Sequence, residues 1–124
     1  MSSRLSHAAQ LAANQALAQN LNAVAQDPVL ADVSRQWRVT LYFYAAVHHV
    51  ELQLQANHYP ASVTHQMRKQ RLRQVWGPTA QAALAAYLDL EHASRRARYE
   101  GWEPSNQELV DAGNNLAQVL SDII

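Results

Sequence analysis

Helix breakers are few in this chain, and they come in clusters. Seven of its 124 residues are glycine or proline, and six of those stand at Asp27-Pro28, Asn57 to Pro60, Gly77-Pro78 and Gly101 to Pro104. Between the clusters run blocks of helical length rich in alanine, leucine and glutamine. These residues lose little conformational freedom in a helix. The expectation is an all-α protein without a sheet, one domain over residues 1–124. Short connections between the blocks make it an antiparallel bundle of about five helices.

Apolar spacing assigns the blocks. The first spans Ser3 to Gln26, with Leu17, Leu21 and Val24 on one face. Asp27-Pro28 stops it and can start the next, Asp27 as cap and Pro28 in the first turn. The second block reaches Ala56 and carries two stripes: Val33, Trp37, Leu41, Tyr44, His48 and Leu52, and then Val39, Phe43, Ala46, Val50 and Leu54. A helix apolar on more than one side belongs at the centre of a bundle. The third, Ser62 to Trp76, is basic and can anchor through Leu72, Val75 and Trp76. The fourth, Pro78 to Tyr99, packs through Ala83, Tyr87, Leu90, Ser94 and Ala97. The last opens on a capping box, Ser105 with Glu108, and packs through Leu109, Leu116, Leu120 and Ile123.

Several classes of function fall away. Without cysteine there is no disulfide, thiolate metal site or cysteine nucleophile, which fits a reducing compartment. The longest apolar run, Leu41 to Val47, is far short of the roughly 20 residues a membrane span needs. The start of the chain has no secretory-signal pattern, so the expected location is cytoplasmic and away from membranes. No glycine-rich phosphate loop and no paired catalytic carboxylates are present; Asp89 and Glu91, two apart, diverge on a helix.

A formal charge of zero hides a division. Between Ser62 and Arg98 stand Arg68, Lys69, Arg71, Arg73, Arg95, Arg96 and Arg98 against Asp89 and Glu91, a surplus of five positive charges. A cationic stripe of this kind attracts phosphates. Equally, it describes a solvated helix face with partners inside the chain. Glu91 stands four residues before Arg95, a favourable surface pair, which leaves Arg96 and Arg98 to water or an anion. Arginine forks suit phosphate, and Tyr99 can stack on a base. His65 and Arg68 lie one turn apart at the start of the basic helix, where the backbone also favours an anion.

The adjacent pair His48-His49 diverges by about 100° on a helix. His48 falls on the stripe with Tyr44 and Leu52, either as a hydrogen-bonded histidine within the bundle or as an acid–base group. His49 falls with Tyr42 and Gln53 on a more polar side. No two of the six histidines have the spacing for a shared metal on one helix. His58 and His65 flank a loop where they can converge, but no metal and no cofactor is expected.

Trp37, followed by the run Leu41 to Glu51, resembles the second helix of HEPN-domain proteins, small helical bundles of prokaryotic toxin–antitoxin and defence systems. His65 to Arg68 follows after a loop of suitable length. Ala86 to Leu90 and then Ser94 to Tyr99 look like the helix that bears the family's active motif. The similarity covers about half of the chain, Trp37 to Tyr99. It implies a HEPN-like fold, a homodimer with a composite site and, in active members, a metal-independent ribonuclease. The family signature is an arginine followed within a few residues by a histidine. After Arg95, the stretch to Trp102 holds arginines and no histidine.

The leading expectation is an RNA- or nucleotide-binding protein, or a divergent ribonuclease with His48 and Arg95 as its catalytic pair. His65, Arg68, Arg95, Arg96, Arg98 and Tyr99 form the expected phosphate and RNA surface. The alternative is a non-catalytic dimerisation or interaction module with a cognate protein partner.

Overall fold

The computed structural model describes Ala23 and residues 35–124. Among the described residues there are four helices and no strand: α1 (Arg35–Ala56), α2 (His65–Trp76), α3 (Gln81–Tyr99) and α4 (Asn106–Asp122). The all-helical expectation holds for them. The expected helix from Ser3 to Gln26, its stop at Asp27-Pro28 and the stripe position Val33 lie outside the described residues, apart from Ala23, which is helical.

Helix α1 is central and packs on α2, α3 and α4, and α3 and α4 also pack on each other. Its two stripes separate. Val39, Phe43, Ala46, Val50 and Leu54 are fully buried. On the other stripe Trp37 is 64% exposed, while Leu41, Tyr44, His48 and Leu52 are only half-buried. The predicted packing face of α3, from Ala83 through Tyr87, Leu90 and Ser94 to Ala97, is buried throughout. In α4, Leu109 and Leu116 are buried and Leu120 partly so, joined by Ala112 and Val119, and Ile123 is buried just past the helix end. Each large apolar side chain removed from water contributes about 1.5–3 kcal/mol, so this shared interior dominates the fold's stability.

Local chemistry sets the helix ends. The Thr64 hydroxyl accepts the Met67 N–H at 3.0 Å and caps α2. That puts the start of α2 at His65 rather than Ser62. Ser105 and Glu108 form the predicted capping box of α4 in full. Gly101, at φ +67°, closes α3 in a left-handed conformation that glycine adopts without strain. His58 plays the same part after α1, at φ 69°, with the Tyr59 N–H reaching back to the Leu54 carbonyl at 3.0 Å. His58 is thus an exposed turn residue.

The polar helix α2 is held by few contacts. Leu72 and Trp76 are buried, and so is Arg68, on the same face one turn earlier. Packing α2 on α1 and α3 leaves its N-terminal turn beside the C-terminal half of α3.

Candidate functional site

Arg68 determines how the site is built. The sequence places it among exposed cations, yet it is only 8% exposed. Its Nε donates to Glu51 Oε1 at 2.9 Å. The other Glu51 oxygen accepts the Ser62 N–H at 3.1 Å, so one carboxylate from α1 holds both the arginine and the chain entering α2. Burial alone lowers the Arg68 pKa, but Tyr87 and Glu51 outweigh it and raise it. The Tyr87 hydroxyl is buried close to the guanidinium, with no hydrogen-bond partner in good geometry. Burial pushes the tyrosine's own pKa up to about 12 despite that cation. Arg68 is therefore held by an internal partner, unlike the exposed cations with which its expected role as a phosphate ligand grouped it.

From Glu51 and Arg68 the chain of contacts continues to His65. Arg68 Nη1 lies 2.8 Å from His65 Nδ1. A guanidinium can only donate, so Nδ1 is the acceptor in this contact. The His65 pKa is lowered, first by burial and then by Arg68, with Arg98 and Lys69 adding to it and Glu91 opposing.

His65 also lines an open cavity of about 510 Å³. Thr64, Gln66 and Lys69 contribute the α2 wall, and Glu91, Arg95, Arg98 and Tyr99 the α3 wall. Phe43 of α1 lies between them. The cations here differ in what they already hold. Lys69 Nζ is 2.9 Å from Glu91 Oε1, and the second Glu91 oxygen is buried without a hydrogen bond. Glu91 thus turns inward to Lys69 instead of pairing with Arg95, because packing of α2 on α3 buries it. Arg95 is exposed and makes no ion pair or hydrogen bond with another described residue. Among the described residues Arg98 has only neutral partners: Nη1 donates to the Tyr44 hydroxyl at 2.9 Å and Nε to the Ser94 carbonyl at 3.3 Å. Its guanidinium also sits 5.0 Å from the centre of the Tyr99 ring, an aromatic side chain that is 74% exposed. Beyond Arg98 a smaller cavity of about 190 Å³ is lined by Gln36, Trp37, Thr40 and Ala97 as well as Arg98 itself.

The expected site therefore assembles in part. His65, Arg95, Arg98 and Tyr99 converge on one cavity. Arg96 does not join them. It stacks 4.3 Å from the centre of the Trp102 ring and lines a different cavity with Asp89, Glu108 and Asp111. One residue is about 100° of helical rotation, so Arg95 and Arg98 share a face that Arg96 leaves. His48 does not line the cavity either; it is half-buried, and its pKa is lowered by burial and by Arg68, with Glu51 opposing. Of the two adjacent histidines, the one expected on the more polar side is the more buried. His49 is the buried one, with Nε2 2.6 Å from the Ile123 carbonyl, to which it donates. Burial lowers its pKa and this bond partly restores it. The placement on a polar side was wrong because α4 covers that face of α1.

Glu51 and Tyr87 were missed as polar partners. Glu51 carried a usable signal: it is an acid with Val50 and Leu52 on either side, in a helix otherwise poor in charge. Such an acid needs a cation when buried. Among the described residues no group of three His, Asp or Glu side chains is arranged to hold a metal ion. None of the described helices is long and apolar enough to cross a membrane. Comparison with protein-family models, curated proteins and solved structures finds no match.

Proposed function

We propose that this chain is a HEPN-like protein that binds RNA or a nucleotide, with a phosphate seated in the larger cavity. The carrying observation is the contrast among the cavity's cations. Lys69 is neutralised by Glu91, whereas Arg95 and Arg98 face the same space without an acidic partner among the described residues. Two arginine forks at an open, partly apolar cavity suit a phosphodiester. Tyr99, exposed beside them, offers a face on which a base can stack.

Binding without rapid cleavage fits this arrangement best. Metal-independent phosphodiester cleavage needs a group that takes a proton. The histidine expected after the signature arginine is missing, and His65 has one ring nitrogen occupied by Arg68. A homodimer belongs to the same reading, supported by the exposed Trp37. Light scattering that gives a monomer at high micromolar concentration would count against it.

Titration of a labelled single-stranded RNA at two salt concentrations tests the central claim. Phosphate contacts release counterions, so affinity should fall steeply as salt rises. Absence of binding to RNA or nucleotides even at low salt would remove the proposal and favour an acidic protein partner for the same cations. Robust cleavage in chelator, lost in His48→Ala, would replace binding by catalysis.

A further inference from the structure

We propose that Glu51 and Arg68 are positioning residues that hold His65 in its Nε2–H tautomer, so that it meets an anionic ligand as a neutral hydrogen-bond donor. The ligand part of this rests on the reading above; the tautomer part does not.

Donors and acceptors decide the tautomer. Arg68 has no lone pair to offer, and its Nη1 is 2.8 Å from His65 Nδ1. A proton on Nδ1 would set two N–H groups against each other. The neutral ring must then carry its proton on Nε2. Arg68 cannot turn away to relieve the contact, since Glu51 fixes its Nε at 2.9 Å and the arginine is buried. Glu51 is itself tied to the Ser62 backbone. The chain carboxylate, guanidinium, imidazole thus runs from the interior to the cavity wall. A carboxylate placed directly on a histidine favours the protonated ring; an intervening arginine reverses that effect.

The surroundings agree. From α2, Arg68 and Lys69 face His65; from α3, Glu91 and Arg98 do so; from α1 the Phe43 ring lies against it, centroids 5.8 Å apart, with Glu51 and His48 around Arg68. Cations outnumber acids in this group. His65 also opens the first turn of α2, where a helix disfavours positive charge. Its Nε2–H is left to donate to a phosphate oxygen beside the two arginines. Nδ1, the nitrogen that could have taken a proton from a ribose hydroxyl, is blocked.

Nitrogen NMR of the full chain with labelled histidine reads the tautomer directly. The expected spectrum has His65 Nε2 protonated and Nδ1 bare at neutral pH, and Arg68→Lys keeps that pattern, because an ammonium also only donates. A dominant Nδ1–H form in the unaltered protein would overturn the proposal, and so would a ring that stays doubly protonated above pH of about 7. The ligand arm uses an oligoribonucleotide without terminal phosphates, whose charge is constant. Its affinity should be flat from pH of about 6.5 to about 8, and His65→Gln, which supplies a neutral donor in place of Nε2–H, should bind better than His65→Ala. A loss of roughly tenfold per pH unit across that range would mean a required imidazolium and would overturn the neutral donor. No RNA binding alongside the expected tautomer would retire the binding reading and its donor role, while Glu51 and Arg68 would keep theirs.

Discussion

Arg68 and Arg95 carry the same chemical group on neighbouring helices, and the fold treats them in opposite ways. Arg68 is buried, paired with Glu51 and bonded to His65. Arg95 is exposed at the cavity and bonded to no described side chain. Around each, a region follows suit. The first is an internal polar spine from α1 to α2, where every cation has an acceptor. The second is the C-terminal half of α3, where Arg98 rests on a hydroxyl, a carbonyl and a ring. The lesson is that a cluster of positive charge along a chain says little about any one member. What each cation does depends on whether an acid on another helix can reach it.

The sharpest way to break this comparison is to remove Arg68. Arg68→Met leaves the Glu51 carboxylate buried beside Tyr87 without its cation, and an uncompensated buried charge costs about 3–5 kcal/mol. Denaturant unfolding should show that loss. Arg68→Met combined with Glu51→Gln should recover a good part of it, because the stranded charge is gone. If the single variant unfolds at nearly the same denaturant concentration as the parent, the spine is not a buried pair.

Next in size comes the open cavity. Arg95→Ala together with Arg98→Ala should weaken RNA binding strongly and lower its salt dependence by about one unit per lost phosphate contact. Arg96→Ala should leave both nearly unchanged, since Arg96 stacks on Trp102 in another cavity. Equal losses for Arg95 and Arg96 would mean that a diffuse surface charge, not this cavity, attracts the ligand.

A smaller effect is expected from pH. His48, His49 and His65 all have pKa values lowered from the ordinary 6.5, chiefly by burial. The unfolded chain therefore binds more protons than the folded one between the lowered values and 6.5, and stability rises with pH there. It should be complete above about 6.5 and decline as the pH falls through that value. Melting temperatures measured from neutral to mildly acidic pH check the sign. His49→Gln should reduce the slope, because burial is what lowers the His49 pKa and the bond to Ile123 only partly opposes it.

The smallest effect is the control on the other side of the comparison. Arg95→Ala alone should change stability by less than about 0.5 kcal/mol, as for any exposed side chain without partners. A larger loss would place Arg95 among the structural residues with Arg68.

Much of the helical framework is legible in the sequence. The breakers at Asn57 to Pro60, Gly77-Pro78 and Gly101 to Pro104 separate the four described helices, and the capping box at Ser105 starts the last of them. Period and packing face of α3 were also readable, because Ala83, Tyr87, Leu90, Ser94 and Ala97 repeat at helical spacing. Convergence of Arg95 and Arg98 followed from their separation of three residues alone. These are local properties, fixed by neighbours within a turn or two.

Other features were decided between helices. Lys69 could compete for Glu91 only once α2 lay on α3. His49 became the interior histidine and His48 the half-buried one because α4 covers the flank of α1 that carries His49, and the period of one helix does not say which flank a later helix will cover. Arg68 was the largest surprise, and for the same reason: its partner Glu51 lies 17 residues away on another helix. Sequence spacing fixes which side chains share a face of one helix. Only packing of the helices fixes which charges meet, and with them the form of His65 that faces the cavity.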